Sequence, residues 1–335
     1  MVALFAVPIG LLTDRMDRRP LLAVGLLLYA AAGMAPIFLQ TLPAILASRC
    51  AVGLAEAVVM TAGTAMLGDL FDGPRREHWF SVQTGSATLV SVIALALGGA
   101  LGEISWRTPF FAYALPSILA VLVWTFVQKS DRGGRVSVTG PDAWSPLVAP
   151  ILATLFASVA FYVVVIQLPF LLTSRGFAAP SQIGMGAAIA AAAVPIGSAL
   201  FRLLSRSTVS TKLALSFLLS AVGFWLMGHR GDYAGTLAGA FINGMGSGLA
   251  LPTLLTWATG AIGAEFRGRS TGAWNTAFFL GQFFSPIAFG LIAAAQGPDR
   301  ALTLMAGACA LALLVTLGAR VAVGTKSARS NRLAA

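Results

Sequence analysis

Long apolar runs, each closed by a short polar turn, recur from one end of the chain to the other. A transmembrane helix needs about 20 apolar residues to cross a hydrocarbon core about 30 Å thick. On that scale the pattern predicts eleven spans: Met1–Leu12, Pro20–Leu39, Pro43–Leu67, Trp79–Gly102, Thr108–Val127, Pro146–Leu172, Gln182–Leu204, Lys212–Gly228, Tyr233–Ile262, Ser270–Ala295 and Arg300–Val323. The first is too short to cross unaided. It also lacks a basic leading segment and a small-residue cleavage site, so it does not read as a signal peptide.

Composition narrows the picture to a membrane protein. Of 335 residues, 57% are hydrophobic and only 10% are charged, and the mean hydropathy is +0.84. Such a chain cannot cover itself with enough polar surface to stay in water. A formal net charge of +10 would suggest nucleic acid in a soluble protein, but here the charge sits in the turns. One set of alternate loops, from Arg15, Arg18 and Arg19 through Arg202 and Arg206 to the C-terminal tail, holds 17 of the 22 basic residues. The other set holds 4, namely Arg107, Arg175, Arg230 and Arg300. The basic excess marks the cytoplasmic side, which places the C-terminus inside and the protein in the cell (plasma or inner) membrane. Nucleic acid is not an expected partner.

The longest polar interval, residues 129–145, carries Gly133, Gly134, Gly140 and Pro141 and reads as a cytoplasmic linker. It divides an N-terminal half, 1–128, from a C-terminal half, 146–323, with a tail at 324–335. A shift of 187 residues aligns Gly10 with Gly197, Arg15 with Arg202 and Arg19 with Arg206; a shift of 191 aligns Gly53 with Gly244, Arg76 with Arg267 and Gly99 with Gly290. Internal duplication of this kind is common in transporters. The same offset places the partner of span Pro146–Leu172 before Met1, so a first helix is expected to be missing and the second to be partial, with about 40 further residues encoded upstream.

The first turn reads Gly10-Leu11-Leu12-Thr13-Asp14-Arg15-Met16-Asp17-Arg18-Arg19. It resembles the loop signature of the major facilitator superfamily (MFS), Gly-x-Leu-x-Asp-Arg-x-Gly-Arg-Arg, with Asp17 in place of the second glycine. Aspartate tolerates the left-handed conformation of a tight turn better than most residues, so such a turn is expected at Asp17. Arg49 with Gly53 and the small residues after it resembles the fourth-helix pattern of the same superfamily. Gly98-Gly99 keeps the glycine pair of the antiporter pattern and lacks its proline. The resemblance implies an all-α, two-half helical bundle with about eleven spanning helices present. It also implies a conformational latch in which Gly10, Asp14, Arg15, Arg18 and Arg19 act with Asp69 at the end of the next helix.

The chemistry inside the spans is sparse. Arg49 and Glu56 are the charged residues placed well within them, and a charge near the bilayer centre costs at least a few kcal/mol. Seven residues apart, they share one helix face about 10 Å apart along the axis. Glu56 is the expected proton carrier, and Arg49 its modulator or an anion contact. The resemblance points to Tyr162, Gln167, Asn243 and Trp257 as cavity-lining residues, with Asn275 and Gln282 on the eleventh helix as further polar candidates. The run Gly244-Met245-Gly246-Ser247-Gly248 lies in an apolar stretch with no strand before it, so it reads as close helix contact and not as a phosphate loop. Cys50, Cys309, His78 and His229 lie apart and suggest neither a disulfide framework, a metal site nor a cofactor.

No cluster of nucleophile, base or acid appears at membrane depth, which argues against a membrane enzyme. The expected function is secondary active transport of a small organic solute by alternating access, as proton-coupled efflux from a monomer. The alternatives are proton-coupled uptake of an organic anion and a truncated, nonfunctional transporter.

Overall fold

The computed structural model describes residues 17–70, 73–127, 145–261 and 267–333, with some side chains inside those helices left aside. Ten α-helices run through it, and the described residues contain no strand. They are α1 (Arg18–Met34), α2 (Leu42–Leu70), α3 (Gly73–Ile104), α4 (Leu115–Phe126), α5 (Ser145–Ser174), α6 (Pro180–Leu203), α7 (Val209–His229), α8 (Tyr233–Gly260), α9 (Arg267–Gln296) and α10 (Pro298–Leu333). Short 3-10 turns, Ala35–Ile37 and Thr108–Ala114, follow α1 and precede α4. Among the described residues nine helical segments are long and apolar enough to cross a membrane, and Leu89–Ile104 is a shorter apolar stretch. The expected span Met1–Leu12 and nearly all of the 129–145 linker lie outside the described residues. Helix α10 continues to Leu333, past the expected end of the last span.

Many of these helices are apolar on the faces they leave uncovered. Helix α4 exposes Ile118, Leu119, Leu122 and Trp124, and α10 exposes Leu304, Leu311, Leu314 and Val315. Water would penalise such surfaces, whereas lipid solvates them, and a helix satisfies its own backbone groups without help from solvent. Prolines interrupt α5, α6, α8 and α9. Near them threonines bond back to the preceding turn: Thr154 Oγ1 donates to the Pro150 carbonyl at 2.7 Å and Thr256 Oγ1 to that of Pro252 at 2.7 Å.

The chain divides into two compact units, residues 1–87 with 97–137, and residues 88–96 with 138–335. In the first unit α1 packs against both α2 and α4. Its core gathers Leu22, Leu26, Ala62, Met66 and Ala120. In the second unit α8 is the hub, packed against α7, α6 and α5, while α10 lies on α7 and α9 on α5. The glycine run of α8 makes those approaches possible. A Cβ at Gly248 would stand 2.1 Å from the Val194 carbonyl oxygen of α6, and one at Gly246 would stand 2.7 Å from that of Ser216 on α7. The run is therefore a helix-packing surface, as its apolar setting predicted.

The turn before α1 departs from expectation. Asp17 has φ −61° and ψ 124°, an extended conformation, and its carboxylate accepts from the Arg19 amide at 3.1 Å. It caps α1. The described residues contain no non-glycine residue with positive φ, so a left-handed Asp17 is excluded. The physical reason is that the first amides of a helix lack partners, and a short carboxylate supplies one best from an extended backbone.

Candidate functional site

In the first unit the sequence pattern brings polar groups from three segments together. Helix α2 supplies Arg49 and Glu56, α1 supplies Tyr29, and the 3-10 turn before α4 supplies Phe110 and Tyr113. Arg49 Nη2 donates to the Ala32 and Gly33 carbonyls, each at 3.1 Å, and Nε to Ser48 Oγ at 3.4 Å. Its guanidinium carbon lies 5.3 Å from the centre of the Phe110 ring and 5.4 Å from that of Tyr113. The two carbonyls belong to the last turn of α1, where the helix dipole is negative and acceptors lack intrahelical donors. Arg49 thus ties the end of α1 to α2 and to two aromatic faces. Its Nε and Nη2 are engaged there, and among the described residues it forms no ion pair with Glu56.

Tyr113 reaches this position because residue 33 is glycine. A Cβ there would stand 2.0 Å from the tyrosine ring. The Tyr113 ring packs on Tyr29 with centroids 5.3 Å apart and on Phe110 at 6.4 Å. Glu56 is exposed. The sequence singled out both charges but neither tyrosine; a phenol on each of two apolar segments was the available signal, and only the packing of α1 on the turn before α4 joins them.

Of the loop residues, Gly10, Asp14 and Arg15 lie outside the described residues, and Asp69 lies on α2 with its side chain outside them. Arg19 is described. Its Nη2 donates to the Trp124 carbonyl near the end of α4, and its guanidinium lies over the Trp124 ring at 5.2 Å. Asp17 and Arg18 also make contacts of their own.

In the second unit the candidates scatter. Tyr162 packs between Phe161, at 4.9 Å, and Phe278 of α9, at 5.3 Å, with Trp274 stacked on Phe278 at 5.4 Å. Gln167 is half-buried, and Asn275 and Gln282 are exposed on α9. Asn243 is buried between α7 and α8. It is 1% exposed, its backbone and Cβ lie against Gly223 of α7, and neither amide atom has a partner among the described residues. The glycines around it let α7 and α8 close over its side chain. Trp257 lines an apolar cavity of about 750 Å³ with Ala153, Phe156, Leu213, Phe217 and Thr316.

Sequence reasoning missed a charged clasp. Arg175, which follows α5, donates to Thr236 Oγ1 at 2.6 Å, to the Met227 carbonyl at 2.5 Å and to Asp299 Oδ1 at 2.5 Å. One guanidinium thereby joins the ends of α5, α7, α8 and α10. Counted as a loop cation, Arg175 gave no sign of this role.

Apolar spanning helices around a few interior polar groups define a multi-pass membrane protein, with no group of three or more potential metal ligands among the described residues. Residues 1–286 match the family model of the Major Facilitator Superfamily. The chain belongs to that superfamily and is a transporter, not an enzyme.

The chain is 34% identical over 140 residues to the class C tetracycline resistance protein of Escherichia coli, spanning 40% of this chain and 34% of that protein. It is 20% identical over 297 residues to the quinolone resistance protein NorA of Staphylococcus aureus (strain COL), spanning 84% of this chain and 75% of that one. Its fold resembles a bacterial homologue of the human lysosomal transporter Spinster, with a TM-score of 0.80 at 14% identity over 95% of this chain and 85% of that one. It also resembles a peptide transporter, POT, with a TM-score of 0.79 at 14% identity over 97% of this chain and 84% of that one.

Proposed function

We propose that this protein exports a small organic solute, driven by protons, through alternating access of two halves, 1–128 and 146–323, joined by the 129–145 linker. In this reading about eleven spanning helices cross the plasma (inner) membrane, the tail at 324–335 is cytoplasmic, and the working unit is a monomer. The resistance proteins it resembles favour export over the alternatives of organic-anion uptake or a nonfunctional chain. The observation that carries the reading is Glu56. It is an exposed carboxylate in the spanning part of α2, and the nearby arginine is already engaged by two backbone carbonyls and two rings. A carboxylate at that depth without a fixed counter-charge is stabilised by taking up a proton or another cation. Trp257, Tyr162, Gln167, Asn275 and Gln282 remain candidate liners of the solute path, with Asn243 a candidate only in a conformation that parts α7 from α8. The first loop, with Asp14 and Arg18, is the latch, and Arg19 anchors it to α4.

Transport in proteoliposomes tests the assignment. Glu56→Gln should abolish uphill transport driven by a pH gradient while leaving substrate exchange intact. Unchanged proton-driven flux in that variant would eliminate Glu56 as the carrier.

A further inference from the structure

We propose that the apolar cavity of about 750 Å³ between α5, α7, α8 and α10 holds an acyl chain of an anionic phospholipid, with the headgroup at the level of Arg206 and Arg320. The cavity lies wholly within the second unit, and the proposal is independent of the export and proton-coupling readings. Trp257, a candidate liner of the solute path, becomes a wall of the lipid site.

Four helix segments fix where the cavity lies. Its walls come from the early turns of α5 (Ala153) and α7 (Val209, Leu213), the last turn of α8 (Trp257) and the last apolar turns of α10 (Ala312, Thr316). Helices α7 and α10 run antiparallel, since at their far ends a Cβ at Gly228 would stand 3.1 Å from the Asp299 carbonyl oxygen. Val209 and Thr316 therefore share the end nearest the basic turns, and Phe217 and Ala308 lie deeper. The rise from Val209 to Phe217, or from Ala308 to Thr316, is about 12 Å, close to half of a hydrocarbon core about 30 Å thick. The cavity thus has the depth of a single leaflet. Its rim includes Leu311 and Val315, each 63% exposed, so it opens onto the surface that lipid covers.

The lining favours hydrocarbon over water. The Thr316 hydroxyl is satisfied within its own helix, donating to the Leu313 carbonyl at 2.7 Å. The other polar side-chain groups, the Ser210 hydroxyl and the Trp257 indole N–H, belong to residues at the basic end. A buried water needs about two to four polar partners, and the deeper walls offer none. An acyl chain needs none below its ester group. The charge comes from residues that flank the same end. Arg206, three residues before Val209, is exposed and forms no ion pair among the described residues. Arg320 stands four residues, about one turn, past Thr316 on α10. Two cationic positions at the end of an apolar slot complement an anionic headgroup, and basic residues flanking a spanning helix attract such lipids.

Native mass spectrometry of the purified full chain, incubated with dioleoylphosphatidylglycerol or dioleoylphosphatidylcholine at matched concentrations, tests the proposal. The two lipids share their chains and differ in headgroup charge. The wild-type protein should retain the phosphatidylglycerol about tenfold more tightly than the phosphatidylcholine. Arg206→Gln combined with Arg320→Gln, both outside the apolar stretches, should bring the two lipids within about threefold of each other. Ala312→Phe should fill the cavity from α10 and weaken phosphatidylglycerol binding about tenfold or more. Ala153→Phe should do the same from α5, so the test survives if one of the two variants fails to fold. Glycerol phosphate, which carries the charge without the chains, should not displace the lipid. Equal binding of the two lipids by the wild-type protein, or unchanged selectivity in the arginine pair, would overturn the headgroup assignment. Displacement by glycerol phosphate, or undiminished binding in a folded phenylalanine variant, would overturn the acyl-chain site.

Discussion

Arg49 shows how far a residue's role depends on what its donors meet. An arginine inside a span needs acceptors, and the last carbonyls of a helix need donors; the end of α1 and Arg49 satisfy each other at 3.1 Å. Gly33 contributes one of those carbonyls and, having no side chain, admits the Tyr113 ring. Gly33→Ala should therefore destabilise the protein by about 1–3 kcal/mol, the usual cost of forcing an extra carbon into a packed site. A fall in the thermal unfolding midpoint of the purified protein checks this, and an unchanged midpoint would show that the ring moves aside freely. Asp17 carries the same lesson in milder form, since the aspartate expected in a left-handed turn is a helix cap instead.

At the scale of elements, the second unit is held by two devices of different kinds. Along the helices, the glycines of α8 let neighbouring backbones approach, so that dispersion and close packing replace the hydrophobic effect that lipid does not supply. At the helix ends, Arg175 joins four elements through three acceptors. Its side chain is 10% exposed while that of Asp299 is 63% exposed, so the partners should not contribute equally. Losing Arg175 leaves the Thr236 hydroxyl and the Met227 carbonyl short of a charged donor, and Arg175→Ala should cost about 1.5–3 kcal/mol. An ion pair open to water contributes at most about 1 kcal/mol, so Asp299→Asn should cost less than that. Unfolding midpoints of the two variants, compared in one detergent, decide whether the clasp works through its buried neutral acceptors or through the ion pair.

For the whole molecule, the distribution of basic residues predicts an orientation that can be measured. Ser207, in the turn between α6 and α7, follows Arg202 and Arg206, whereas Gly231 lies at the opposite end of α7. In a chain with Cys50 and Cys309 replaced by alanine, a cysteine at position 231 should react with an impermeant maleimide in intact cells. One at position 207 should react only after the membrane is opened. The reverse pattern would overturn the assignment of the basic loops to the cytoplasm.

Within the described residues, the sequence by itself determined the helices and the solvent they require. Pro20–Leu39, Pro43–Leu67 and Tyr233–Ile262 were legible to within a few residues because apolar length and the alternation of basic turns are local properties, fixed by the thickness of a bilayer. The superfamily was legible for a similar reason, since its loop signature is a continuous stretch of chain. The partners of the polar side chains were not legible. Arg49 meets Ala32 and Gly33 from 17 and 16 residues away, Arg19 meets Trp124 from 105, and Arg175 meets Asp299 from 124. Glu56 and Arg49 could be named from the sequence as the interior charges, but the sequence offered them to each other because they lie on one helix face. Only the tertiary structure gave Arg49 to the end of α1 and set the Tyr113 ring against Tyr29 and Arg49. Burial pattern selects which residues leave water, whereas a hydrogen bond is satisfied by whatever acceptor the packing of other helices brings within about 3 Å.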